Sequence, residues 1–209
     1  MAGPADYAVR MLGPDAVSWV GPRPGKQIDE LLSGRVVVIG DDADLAAVAL
    51  RLLRRELLAR VVLGYASGQE SPVTELYSLP TGPAAVRLAL TGDPDLVPLV
   101  RNDVGGVLIG RAVIEPVSGT VYLDETPVLK GEAARLIVYP DPARGLEVIV
   151  VRRRILGFKR RPDRRQGRAL ALGGRPARIV SDGVTFPREM TRWTFYRHTE
   201  PLRLVRGVA

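Results

Sequence analysis

Cysteine is absent from this chain of 209 residues, which excludes disulfides and thiolate chemistry. Histidine occurs once, as His198. A metal site would have to be built from Asp, Glu and that one imidazole. General acid–base work by His198 would need a partner and a cleft, and the sequence displays neither; the residue reads as a surface position at a strand end. Aromatics make up 5% of the chain, which leaves the core to Val, Leu, Ile and Ala. No apolar run approaches the roughly 18 residues of a membrane-spanning helix, so no transmembrane segment is expected. Residues 1–30 hold Pro4, Pro14, Pro22 and Pro24 without a continuous apolar stretch, so no signal peptide is expected. The lack of cysteine fits a reducing compartment, and the expected location is cytoplasmic.

Lysine is also scarce, with three residues, and arginine carries the positive charge. The formal charge of +7 is unevenly placed: residues 1–143 carry 13 basic and 18 acidic groups, residues 144–209 carry 17 and 5. Nine basic residues fall within Arg152–Arg168, where Asp163 is the only acid. Such a field attracts phosphates, nucleic acid or anionic lipid; a solvated loop in an arginine-rich protein is the other reading. Gly157, Pro162 and Gly167 argue against one helix there. The expectation is a mobile, exposed basic excursion between two strands, making weak polyanion contacts without sequence preference.

The residues from Arg35 to Gly82 organise the first half. Arg35–Ile39 is an apolar, β-branched strand that ends in Asp41 and Asp42. Leu45, Val48, Ala49, Leu52, Leu53 and Leu57 recur at helical spacing, with Arg51, Arg54, Arg55 and Glu56 as the polar face. Asp44 suits a helix N-cap or first turn. Arg60–Leu63 reads as the next strand, followed by a loop over 64–78 and a helix over Ala84–Leu90. This is a βαβ unit, which places polar ligands beyond the carboxyl ends of its strands. From Val104 onward, short β-branched runs alternate with turns, which indicates an antiparallel β domain. The expected division is an N-terminal arm over 1–34, a partial α/β domain over 35–100 and a β-rich domain over 101–209.

This organisation resembles the diacylglycerol kinase catalytic-domain and NAD kinase superfamily, which joins an α/β domain to a C-terminal β-sandwich. The resemblance lies in three places. Ile39-Gly40-Asp41-Asp42-Ala43 is similar to the family's Gly-Gly-Asp-Gly-Thr. Pro80-Thr81-Gly82-Pro83-Ala84-Ala85 is similar to Pro-x-Gly-Thr-x-Asn. Asp182-Gly183-Val184 is similar to Asp-Gly-Glu. The implied fold is α/β plus all-β, with a trimmed N-terminal α/β unit followed by an antiparallel β-sandwich-like domain. The implied cofactors, if function follows fold, are ATP and Mg²⁺. The implied catalytic residues are Asp41 and Asp182; the implied nucleotide-contacting residues are Gly40, Asp42, Thr81 and Gly82.

Each of these residues also has a plain structural reading. Asp41 and Asp42 can cap a strand–helix turn, and Pro83 can open a helix at its first position. Asp182-Gly183 can be a tight turn. Glu70 and Glu75 read as loop carboxylates, and Glu189 as a displaced substitute for the acid missing at Val184. The motif changes are chemically costly for a kinase. A glycine lets backbone N–H groups approach phosphate, and Asp42 in its place puts negative charge where phosphate oxygens would sit. Ala43, Pro83 and Ala85 replace hydrogen-bonding side chains, and Val184 cannot take a proton. Three functions follow as expectations. The first is a kinase-like protein without kinase activity that binds a nucleotide or a phosphorylated lipid. The alternatives are an active ATP-dependent lipid or nucleotide kinase, and a nonspecific nucleic-acid or anionic-surface binder. A homo-oligomer is the expected assembly.

Overall fold

The computed structural model describes residues 9–12, 17–152 and 162–206. The chain divides into two compact units, 1–97 with 200–209, and 98–199.

The first unit is built on a mixed six-stranded sheet. Its elements are β1 (Val9–Leu12), β2 (Val17–Val20), a 3-10 helix (Lys26–Leu31), β3 (Arg35–Ile39), α1 (Asp42–Arg54), β4 (Val62–Ala66), α2 (Pro72–Tyr77), α3 (Gly82–Thr91) and β5 (Pro94–Val97). The strand order is β2-β1-β3-β4-β17-β5, where β17 (Leu202–Val205) is the last strand of the chain. The expected β–α–β crossover is present: β3 and β4 pair in parallel, with Val37 opposite Gly64. Four readings need correction. Residues 1–34 are not only an arm, because β1 and β2 form a hairpin and β1 pairs with β3. The second strand of the crossover starts and ends later than Arg60–Leu63 and runs through Gly64. A glycine is needed there because a Cβ would stand 2.7 Å from the Ala89 carbonyl of α3 and 3.0 Å from Val37. The segment 64–78 is not all loop, since it contains α2. Strand 202–205 belongs to this sheet and not to the β-rich region, pairing with β4 in parallel and β5 in antiparallel.

The pairing sets which side chains face which helix. Tyr65 reaches Asp42 at the start of α1, whereas Gly64, Val37 and Arg35 face α3. The two helices therefore cover opposite faces of β3 and β4. This explains why Val36, Val37, Val38 and Leu63 are all fully buried. Arg35 also donates from Nη1 to the Ala89 carbonyl at 3.0 Å, near the carbonyl end of α3, where a cation is favourable.

The second unit is a large antiparallel β structure. Its elements are β6 (Val100–Asn102), β7 (Val107–Leu108), β8 (Ala112–Glu115), β9 (Val117–Leu123), β10 (Thr126–Ala133), β11 (Arg135–Asp141), β12 (Gly145–Val151), β13 (Asp163–Gly167), β14 (Ala169–Ser181), β15 (Val184–Thr185) and β16 (Met190–Arg197). The order is β13-β12-β11-β8-β14-β16-β6-β7, with β9 on β14 and β10 on β9. β14 holds it together. Its first half pairs with β9 and β16 and its second half with β8, with an irregularity between Gly173 and Ala177. Both halves point into one core that contains Leu170, Leu172, Ile179, Val121, Leu136, Val148 and Phe195. Trp193 lies edge-on to Phe186 and to Phe195, at 5.1 and 5.7 Å between ring centroids. Most of the basic stretch, residues 153–161, lies outside the described residues. Its end is not an excursion: β13 pairs with β12 across Asp163–Gly167, with Arg164 hydrogen-bonded to Glu147 at 3.1 Å.

Candidate functional site

The carboxyl ends of β3 and β4 bring together five of the six residues singled out in the sequence. Gly40 donates its backbone N–H to the Ala66 carbonyl at 3.3 Å, and Gly82 donates to the Ser67 carbonyl at 2.8 Å. Gly40, Asp41, Asp42 and Gly82, with Thr81 beside it, are thus tied to the end of β4. Asp182 belongs to the second unit.

Three aspartates surround the first turn of α1, and each is committed. Asp41 is the N-cap. Its Oδ1 accepts from the Asp44 backbone N–H at 2.9 Å, and Asp44 Oδ2 accepts from the Asp41 N–H at 3.0 Å, a reciprocal capping box. Asp44 also accepts from the Arg23 N–H at 2.6 Å. Burial pushes the Asp44 carboxyl above the ordinary carboxylate range, against the downward pull of the Arg23 and Asp41 N–H donors. The same side chain explains Gly40, since a Cβ at position 40 would stand 2.5 Å from Asp44 Oδ2.

Asp42 is buried and turns away from the mouth of the turn. Its Oδ1 accepts from the Tyr65 hydroxyl at 2.8 Å and the Ser71 hydroxyl at 2.7 Å, and its Oδ2 accepts from the Val73 N–H at 3.2 Å. Burial first, and the Asp42 charge second, raise the Tyr65 phenol well above its ordinary value. Ser71 in turn caps α2 in a second reciprocal box with Thr74. The expectation that Asp42 presents its charge to a phosphate is therefore corrected: the carboxylate is enclosed by three donors from β4 and the start of α2.

Thr81 is the N-cap of α3 but makes no side-chain cap bond; Pro83 sits in the first turn, as the plain reading anticipates. Gly82 has a φ of +63°, and a Cβ there would meet nothing within 4 Å. This is a left-handed residue at an open turn, where glycine is the natural occupant. Asp182 is also left-handed, at φ +46°, and is buried. Its carboxylate accepts from the backbone N–H groups of Ile109, Gly110 and Arg111 at 2.9, 2.8 and 3.1 Å. Its own N–H donates to the Arg111 carbonyl at 2.9 Å. The geometry makes Asp182 a staple between the β14–β15 turn and the segment entering β8.

Sequence reasoning missed Tyr65, Ser71 and Thr74, and it assigned Arg51 to a polar face. Arg51 is buried and grips Asp29 with two bonds, at 2.8 and 2.6 Å, which anchors the 3-10 helix to α1. The spacings Asp41-x-x-Asp44 and Ser71-x-x-Thr74 were the available signal for both capping boxes.

Solved structures of known proteins share this fold. A diacylglycerol kinase from Bacillus anthracis str. Sterne matches over 87% of this chain and 80% of its own, with a TM-score of 0.62 and 11% identity. An NAD kinase from Archaeoglobus fulgidus, solved in complex with ATP, matches over 88% of this chain and 81% of its own, with a TM-score of 0.58 and 13% identity. The fold is similar to that of this diacylglycerol kinase and this NAD kinase. No family model and no curated protein matches the sequence. At these identities the likeness to the kinase superfamily is one of fold.

The superfamily resemblance puts nucleotide phosphates at the turn 39–43, and the residues present do not fit that group. A helix N-terminus binds an anion through unspent N–H donors. Here Asp41 and Asp44 spend two of them on each other, and their two carboxylates stand at the start of the helix. Among the described residues, no group of three or more acidic or histidine side chains is placed to hold a metal ion. No helix among them is long and apolar enough to cross a membrane.

Proposed function

We propose that this protein carries the kinase-superfamily fold without phosphoryl transfer and acts by binding. The observation that carries the reading is the start of α1, where the Asp41 and Asp44 carboxylates already accept backbone N–H groups that an incoming phosphate would need. Phosphoryl transfer is almost entirely positioning and charge stabilisation. A turn lined with carboxylates works against both, and Ala43, Pro83, Ala85 and Val184 remove the side chains that would compensate. Asp41, the more accessible of the two, caps the helix. The remaining open feature of the site is the Thr81–Gly82 turn, and a phosphorylated lipid headgroup would be held there. The protein works as a homo-oligomer in this reading, most simply a dimer.

The test is a transfer assay with γ-labelled ATP and Mg²⁺, offering diacylglycerol, a sphingoid base or NAD to the purified chain. The expected result is no labelled product above the background of a heat-treated sample. Turnover near about 1 s⁻¹, within the ordinary enzyme range, would overturn the proposal. Light scattering at micromolar concentration checks the assembly, with the dimer mass expected and the monomer mass alone contradicting it.

A further inference from the structure

The strand register of the second unit sorts its side chains onto two faces. Val121, Leu123, Leu170, Leu172, Trp193 and Phe195 point into the core, so their neighbours in sequence point away from it. Across β9, β14, β16 and β6, the register sets Tyr122 beside Ala171, Gly173 beside Arg192, and Tyr196 beside Arg101. The pairing of β10 with β9 adds Lys130, opposite Thr120.

This outer face is open, flat and edged by aromatic rings. Ala171 and Gly173 are exposed although strands flank them on both sides, and a Cβ on Gly173 would meet nothing within 4 Å. Tyr122 is 41% exposed. The Arg101 guanidinium lies over the Tyr196 ring, 5.8 Å from its centroid. The two tyrosines stand two strands apart and two residues out of line, about 10 Å across the sheet and about 7 Å along it. The charges differ from those at the β13 edge. There Arg164 and Arg165 are paired with Glu147 and Asp163, and Arg178 on β14 is paired with Glu115. Arg101, Arg192 and Lys130 make no ion pair among the described residues.

We infer that this face is a binding platform for single-stranded nucleic acid. The exposed Tyr122 ring and the half-buried Arg101–Tyr196 pair beside a flat floor, with unneutralised cations along it, match unpaired bases joined by phosphates. A duplex keeps its base faces stacked internally and offers only edges in its grooves. A membrane surface fits less well, because the floor is Ala171 and Gly173, and no aliphatic side chain longer than alanine rises from the middle of the face.

The test is fluorescence anisotropy on the full chain with a labelled single-stranded 15-mer of mixed sequence, its duplex, and vesicles of phosphatidylserine and phosphatidylcholine. The single strand is expected to bind more tightly than the duplex or the vesicles. Tyr122→Ala and Tyr196→Ala should each weaken it roughly tenfold, the loss of one stacking contact. Tyr122→Phe keeps the ring and should bind as the native chain does. Ala171→Glu places a carboxylate on the open floor and should abolish binding while leaving the circular dichroism spectrum and melting temperature unchanged. Arg192→Ala should reduce the salt dependence by about one phosphate contact. The inference is overturned if the duplex binds as well as the single strand. It is equally overturned if Tyr122→Ala has no effect, if Tyr122→Phe costs as much as Tyr122→Ala, or if only the vesicles bind.

Discussion

Asp42 departs furthest from what its position in the sequence suggests. Next to Asp41 at the end of a strand, it reads as a charge facing outward; in the fold it is buried and accepts three hydrogen bonds. Its partners Tyr65 and Ser71 are 23 and 29 residues away, and no local pattern links them to it. Replacement by the family's glycine should therefore weaken the fold and restore no phosphate site. Asp42→Gly strands the Tyr65 hydroxyl in the interior and should cost about 2–4 kcal/mol in urea unfolding. A variant as stable as the native chain contradicts this role. Tyr65 gives a pH signature. Its phenol is raised in the folded state, so the stability it contributes is fully present below the unfolded value of about 10 and is lost as pH climbs toward the folded value. Stability should fall more steeply above about pH 10 in the native chain than in Tyr65→Phe, measured by urea midpoints across that range. Parallel curves would remove the burial argument.

At the scale of elements, the first crossover was legible because its signals are local. A β-branched run, a helical spacing of leucines and acids at the turn mark β3 and α1. The end of β4 was not legible, because Gly64 looks like a loop residue until α3 is seen lying against it. Two glycines separate packing from backbone freedom. Gly64→Ala forces β4 and α3 apart and should cost about 1–3 kcal/mol. Gly82→Ala meets open space and pays only the left-handed backbone, about 1–2 kcal/mol. In thermal unfolding, a Gly82→Ala loss larger than that of Gly64→Ala would reverse this assignment. β10 escaped notice because Pro127, Lys130, Gly131 and Glu132 break the alternation expected of a strand. As an edge strand that, among the described residues, pairs only with β9, it can afford a proline and exposed charges. α2 escaped notice because one and a half turns carry no periodicity, although Ser71-Pro72-x-Thr74 marks its start.

At the scale of the whole molecule, the sequence showed the switch from α/β to antiparallel β near residue 100, because strand length and helical spacing both change there. It could not show that the last strand returns to the first unit, since Leu202–Val205 resembles any other short strand. β17 stands between β4 and β5 and joins them. A chain ending at Thr199 should leave both strands unpaired on that side. The expected result is loss of cooperative melting in unit 1 and poor solubility, measured by calorimetry and sedimentation. A soluble truncation with the native melting profile contradicts the topology. The central claim is that built-in carboxylates at α1 exclude a nucleotide's phosphates from this kinase fold. Isothermal titration calorimetry of the full chain with ATP and Mg²⁺ tests it most directly. The predicted result is no saturable heat corresponding to a dissociation constant below about 1 mM, the weak end of the affinity scale. Saturable micromolar binding that Asp41→Ala or Asp44→Ala alters would contradict it.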